Sequence, residues 1–124
     1  MEVMVNADNG KILAWEIRQA RSFMERLVGV FSGGVPFGSA LYIHRCATVN
    51  TLFMNEPVDV LYLNDKREIV WIDHHVQPGA IVRKRKGAVS VVKLPAGTVW
   101  ATDTRVGQVV DFKASNEQID MGVV

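Results

Sequence analysis

Short runs in which apolar and polar residues alternate recur along most of this chain, the period-2 signature of half-buried strands. Residues 2–6 and 11–18 flank Asp8-Asn9-Gly10. Asn-Gly tolerates the positive φ of a tight turn, so the pattern predicts an N-terminal hairpin. In its second strand Leu13, Trp15 and Ile17 alternate with Ala14, Glu16 and Arg18, which gives one dry face and one wet one. Pro57 opens a further strand, where a missing N–H costs least. Val58, Val60 and Tyr62 form one face of it, and Asp59, Leu61 and Leu63 the other. Both faces are apolar apart from Asp59, which predicts an interior strand. Asn64 to Arg67 reads as a turn, and Glu68 to Val76 returns as the second arm of another hairpin. Leu41 to Ile43, Val89 to Leu94 and Gln108 to Phe112 supply three more strands.

The period shifts once. Ser22-Phe23-Met24-Glu25 is a capping box, in which serine and glutamate satisfy the first amides of a helix reciprocally. The predicted helix runs from about Phe23 to Phe31, with Phe23, Leu27, Val30 and Phe31 as its core stripe. Gly33-Gly34, Pro36 and Gly38 end it. Residues 46–55 and 77–87 read as loops. Thr98 to Thr104, after Pro95-Ala96-Gly97, reads as a single helical turn. The expected fold is mainly β (α+β), a small barrel or two packed sheets, with one helix around residues 22–31 closing one side. Residues 1–112 form one domain in this reading and 113–124 a loose tail.

Composition narrows the field without naming a reaction. The chain has 124 residues, 48% of them hydrophobic and 22% charged, and a formal net charge of +1. That is enough chain for a core without metal or disulfide. The balanced charge gives no field favouring nucleic acid or an anionic membrane. Cys46 is the single cysteine, which excludes an intramolecular disulfide and fits a reducing compartment. No apolar run approaches the roughly 20 residues of a membrane helix. The N-terminus lacks a signal-peptide pattern, so a cytoplasmic location is expected.

Asp59 is the residue whose setting demands an explanation. A carboxylate among valine, leucine and tyrosine is costly unless it is paired or hydrogen-bonded. Either it accepts backbone N–H groups of the 46–55 loop, the preferred reading, or it faces a pocket as a general base or ligand-binding group. His44 and Cys46, at i and i+2, could join His74 or His75 in a thiolate–imidazole site, but no metal-ligand spacing such as CxxC or HxxxH supports one. No metal or cofactor is therefore expected. Arg83-Lys84-Arg85-Lys86 is a dense basic run able to meet phosphates; a solvated loop tip is the preferred reading. Phe31, Phe37, Phe53 and Met54 are expected to seal the ends of the barrel, and Trp15, Trp71 and Trp100 to lie in the core.

Arg26 to Gly29, Leu41 to Cys46, Asn50 to Met54, Pro57 to Leu63 and Lys93 to Thr98 come in an order that resembles the bacterial and archaeal domain-of-unknown-function family 192. The resemblance spans roughly residues 13 to 112. It implies a small mainly-β fold and no established activity. It also marks departures. Asn50 stands where such proteins carry histidine, Lys93 where they carry an acidic residue, and Gln108 where they carry aspartate. The reading drawn from all this is a non-catalytic domain that binds a small ligand or a protein partner near residues 46–59, through Asp59, Asn50, Thr51, Phe53 and Met54. One alternative is a small, hydrolytic enzyme using Asp59 with His44 or Asn50. The other is an anionic-surface or nucleic-acid binder through Arg83, Lys84, Arg85 and Lys86, with nucleic acid disfavoured.

Overall fold

A computed structural model describes residues 2–20, 34–47, 49–51, 54–82 and 84–114. The strands are β1 (Glu2–Asn6), β2 (Ile12–Ala14), β3 (Glu16–Ala20), β4 (Ser39–His44), β5 (Val49–Asn50), β6 (Val58–Leu63), β7 (Ile69–Val76), β8 (Ile81–Val82), β9 (Ser90–Pro95) and β10 (Val110–Ala114). One short helix, α1 (Thr98–Ala101), lies between the last two strands. The helix expected over residues 22–31 lies outside the described residues, as does everything beyond Ala114.

The architecture is mainly β, and the strands form packed sheets rather than a closed barrel. Five strands in the order β3-β4-β9-β6-β7 make the larger sheet, and β10-β1-β2 make a three-stranded one. Among the described residues only β3 and β4 pair in parallel; the other ladders are antiparallel. Alternation sends Ala40, Leu61, Leu63, Val92 and Leu94 to one face of the five-stranded sheet. There they meet Met4, Leu13, Ala14 and Val110 of the smaller sheet. The opposite face carries Leu41, Ile43, Val58, Val60, Tyr62 and Val91, covered by Val49, Met54 and Ala88. β6 and β9 are thus interior on both faces, as the apolar run of β6 foretells.

The strand expected over 11–18 is in fact two. The Trp15 and Glu16 amides both donate to the carbonyl of Gly38, at 2.7 and 3.2 Å. The chain bends there, leaving the smaller sheet as β2 and entering the larger one as β3. The 46–55 and 77–87 loops are joined by the two-stranded pair β5-β8, which was not expected. β10 carries through Lys113 and Ala114, pairing with Val3 and Glu2.

Candidate functional site

Asp59 organises one end of the five-stranded sheet. It is 1% exposed, and its carboxylate accepts three backbone N–H groups. Oδ1 takes the His75 amide at 3.0 Å. Oδ2 takes the amides of Gly97 and Val99, each at 3.0 Å. The first bond fixes a bulge. Val58 pairs with Val76 and Val60 with Asp73, so His74 and His75 together oppose Asp59 alone. His75 has a φ of 52°, which turns its N–H from the ladder toward the carboxylate. The other two bonds cap α1. Gly97 is the cap residue, at φ 93°, a conformation that favours glycine, and it brings no capping side chain of its own. The donors are therefore in the 75 and 97–99 segments, not in the 46–55 loop as the sequence suggested.

The far end of the α1 segment is pinned from the smaller sheet. Asn6 is buried and donates to Thr104 Oγ1 at 3.2 Å and Gln108 Oε1 at 2.9 Å. Asn9 donates to the carbonyl of Thr102 at 2.9 Å. Val99 points into the core and is 2% exposed, while its neighbour Trp100 is 86% exposed. A short helix clamped at both ends thus holds a large aromatic side chain in solvent.

Trp100 borders two grooves. On one side lie Trp15, Phe37, Pro95 and Thr98, around a space of about 370 Å³. On the other lie Trp71, Ile72, His74 and Arg105, around about 570 Å³. The expectation that the three tryptophans are core residues is overturned, since Trp15 and Trp71 are each about half exposed. Trp15 occupies the bend between β2 and β3, and Trp71 an outer strand. Phe37, at 99% exposure, seals nothing. The threonine hydroxyls of the smaller groove are spent internally. Thr98 Oγ1 donates to the Pro95 carbonyl at 2.7 Å, and Thr102 Oγ1 to the Thr98 carbonyl at 2.7 Å. What that groove offers a visitor is chiefly aromatic and aliphatic surface.

Of the residues singled out near 46–59, those described play internal parts. Thr51 is fully buried, and its hydroxyl donates to the Gln77 carbonyl and accepts from the Ala80 amide. It staples the two loops together. Met54 is in the core. Phe53 and the Asn50 side chain lie outside the described residues. His44 and Asp59 are not brought together. They flank β9 opposite Ser90 and Leu94 respectively, four residues or about 13 Å along the strand. His44 instead meets Gln19, Nε2 to Oε1 at 2.8 Å. Among the described residues no cluster of histidine, cysteine and carboxylate has the makings of a metal site.

The basic run is broken up by the fold. Arg85 Nη2 reaches both oxygens of Asp73, at 2.9 and 3.2 Å, and its guanidinium lies 4.7 Å from the Trp71 ring centroid. Asp73 also accepts from the Tyr62 hydroxyl at 2.8 Å and from Trp71 Nε1 at 3.0 Å. Burial, reinforced by Asp73, pushes the Tyr62 phenol well above its ordinary pKa. Lys84 and Lys86 are exposed, while Arg83 lies outside the described residues. A different cation is buried. Lys93, on β9, is 5% exposed, and burial lowers its pKa to about 8 against an opposing influence from Cys46.

Comparison with known proteins places this geometry in a family. The model of the family DUF192, "Uncharacterized ACR", matches residues 4–112. A UPF0127 protein of Pyrococcus furiosus is 28% identical over 113 residues, covering 88% of this chain and 97% of that one. A UPF0127 protein of Thermococcus sibiricus is 21% identical, covering 94% of this chain and 78% of its own. Two crystal structures share the fold. A Sinorhizobium meliloti protein, provisionally described as a transcription regulator, aligns with TM-score 0.74 at 18% identity, covering 90% of this chain and 91% of that one. A Novosphingobium aromaticivorans protein of unknown function aligns with TM-score 0.73 at 14% identity, covering 89% and 82%. At these identities the likeness is one of fold alone. No helix of the described residues is long and apolar enough to cross a membrane.

Proposed function

The chain belongs to the DUF192 family, whose molecular function is uncharacterized, and on that premise we propose that it is a binding domain for a small ligand with a flat apolar face. The ligand lies in the groove between Trp100 and the Trp15–Phe37 side. The observation that carries this reading is the exposure of three aromatic side chains around one concavity of about 370 Å³. That is within the size range of small-molecule pockets. Large aromatic side chains left in water cost solvation that a stacked ligand recovers. The α1 wall is pre-organised, because Asp59 and Asn6 hold that segment before any ligand arrives, which reduces the ordering cost of binding. In this reading Asp59 is a positioning residue, and the 46–59 segment supports the site without lining it.

The test is titration with the neutral, polarity-sensitive dye Prodan, followed by its emission. Saturable 1:1 binding is expected for the native protein, with a loss of at least tenfold in Trp100→Ala and in Phe37→Ala. Both positions are exposed, so both variants should melt with the native protein. Equal dye binding in all three proteins would refute the assignment.

A further inference from the structure

We propose that a second pocket, at the opposite end of β9 from Trp100, binds a small oxyanion, a phosphate or carboxylate group. It lies where the end of β4, the start of β9 and the turn after β6 converge, and it encloses about 290 Å³. Tyr42, His44, Arg45, Arg67 and Ser90 line it, with Asp65 as the one carboxylate among its described lining residues. Arg67 also reaches Asp111, but at 3.8 Å and with both side chains nearly half exposed. Such a pair is weak and easily exchanged for a better-fitting anion.

The backbone makes an independent case. Four non-glycine residues among those described have positive φ, and two of them are the arginines of this pocket, Arg45 at 51° and Arg67 at 59°. The Arg67 backbone is held on both sides. The Arg67 amide donates to the Asn64 carbonyl and its carbonyl accepts from Val110, each at 3.0 Å. Glycine or asparagine serves such a position with less strain. Strained non-glycine residues gather where a side chain must be aimed at a ligand, and here two arginines at such positions line one space.

The Arg67 side chain is steadied by stacking. The Phe112 and Tyr42 rings lie 5.3 Å apart, and Tyr42 and His44 4.2 Å apart, both pairs stacked. The Arg67 guanidinium sits 5.2 Å from the Phe112 centroid. A planar guanidinium held on a ring keeps its donor fork available for two oxygens of one anion. The site is chemically unlike the aromatic groove and independent of it.

Inorganic phosphate and acetate are the probes, titrated separately at constant ionic strength with sodium chloride as control and followed by amide NMR. Saturable shifts are expected at residues 42–45, 64–67 and 89–90 with at least one of the two, and the tighter names the oxyanion class. Arg67→Gln and Arg45→Gln should each weaken binding at least tenfold. Arg67→Gly should abolish it and also raise the melting temperature by a few degrees, since it removes the strain together with the ligand contact. The proposal is overturned if chloride gives the same shifts, or if both glutamine variants bind as the native protein does. A lower melting temperature for Arg67→Gly would overturn the strain argument.

Discussion

Asp59 on β6 and Val99 on α1, 40 positions apart in sequence, are joined by a 3.0 Å hydrogen bond from the Val99 amide to the Asp59 carboxylate. With the Gly97 and His75 amides on the same group, one buried side chain fixes both a helix start and a strand bulge. Asparagine has a single acceptor oxygen and would set an NH₂ against amide donors. Asp59→Asn should therefore lose about 3 kcal/mol of stability in urea denaturation. Amide exchange should quicken at His75 or at Gly97 and Val99 before it does in the core of β6.

Thr51 gives a second, separable test. Thr51→Val keeps the shape but removes a hydroxyl that bonds Gln77 and Ala80 in a fully buried site. A loss of about 2 kcal/mol is expected, mostly from the polar groups left unsatisfied. The backbone bond from the Thr51 amide to the Ala80 carbonyl should keep the loop in place. Exchange at the Ala80 amide should rise, and dye binding at Trp100 should not change.

Asp73 collects three donors, from Tyr62, Trp71 and Arg85. Asp73→Ala should cost about 2 kcal/mol, because a buried phenol and a guanidinium lose their acceptor. It should also shift the emission of Trp71. Lys84→Glu and Lys86→Glu, which alter exposed members of the same basic run, should stay within about 0.5 kcal/mol of the native protein.

Lys93 predicts a pH dependence. Its folded pKa of about 8 lies below the ordinary 10.5. Between those values the unfolded chain holds the proton more tightly, so folding releases it and stability rises with pH. The cost of burying the ammonium is full below pH 8 and shrinks above it. The stability of the native protein minus that of Lys93→Met should climb from pH 8 to 10, by up to about 3 kcal/mol in all. Tyr62, whose pKa is raised, acts in the opposite sense above pH 10 and cancels in that difference. A flat difference would count against this account.

Most of the sheet was legible in the sequence because burial on one or both faces writes itself as alternation. β6, β7 and β9 follow from that, and Asn64 to Arg67 from turn chemistry. β5 and β8 were hidden because two residues cannot show a period. The alternation of 11–18 predicts a core position for Trp15 because nothing in it reveals a bend that depends on the Gly38 carbonyl. Trp100 lies on a helix of one turn, too short for a pattern, so only its partner Val99 is claimed by the core. The burial of Asp59 could be inferred from its neighbours. Its donors could not, because they depend on β6 lying between β9 and β7. Nothing in the sequence marks Arg45 and Arg67 for positive φ, because arginine is not a residue one expects there.

The bulges of β7 have a bearing on association between molecules. β7 is an outer strand of the five-stranded sheet, and its register slips twice against β6, opposite Asp59 and again between Tyr62 and Leu63. A long, flat outer strand is a template on which a foreign strand can extend the sheet. Kinked at both places, this one presents no uninterrupted ladder to copy. Substitutions that release His75 from its bulge should therefore be watched for turbidity as well as for lost stability.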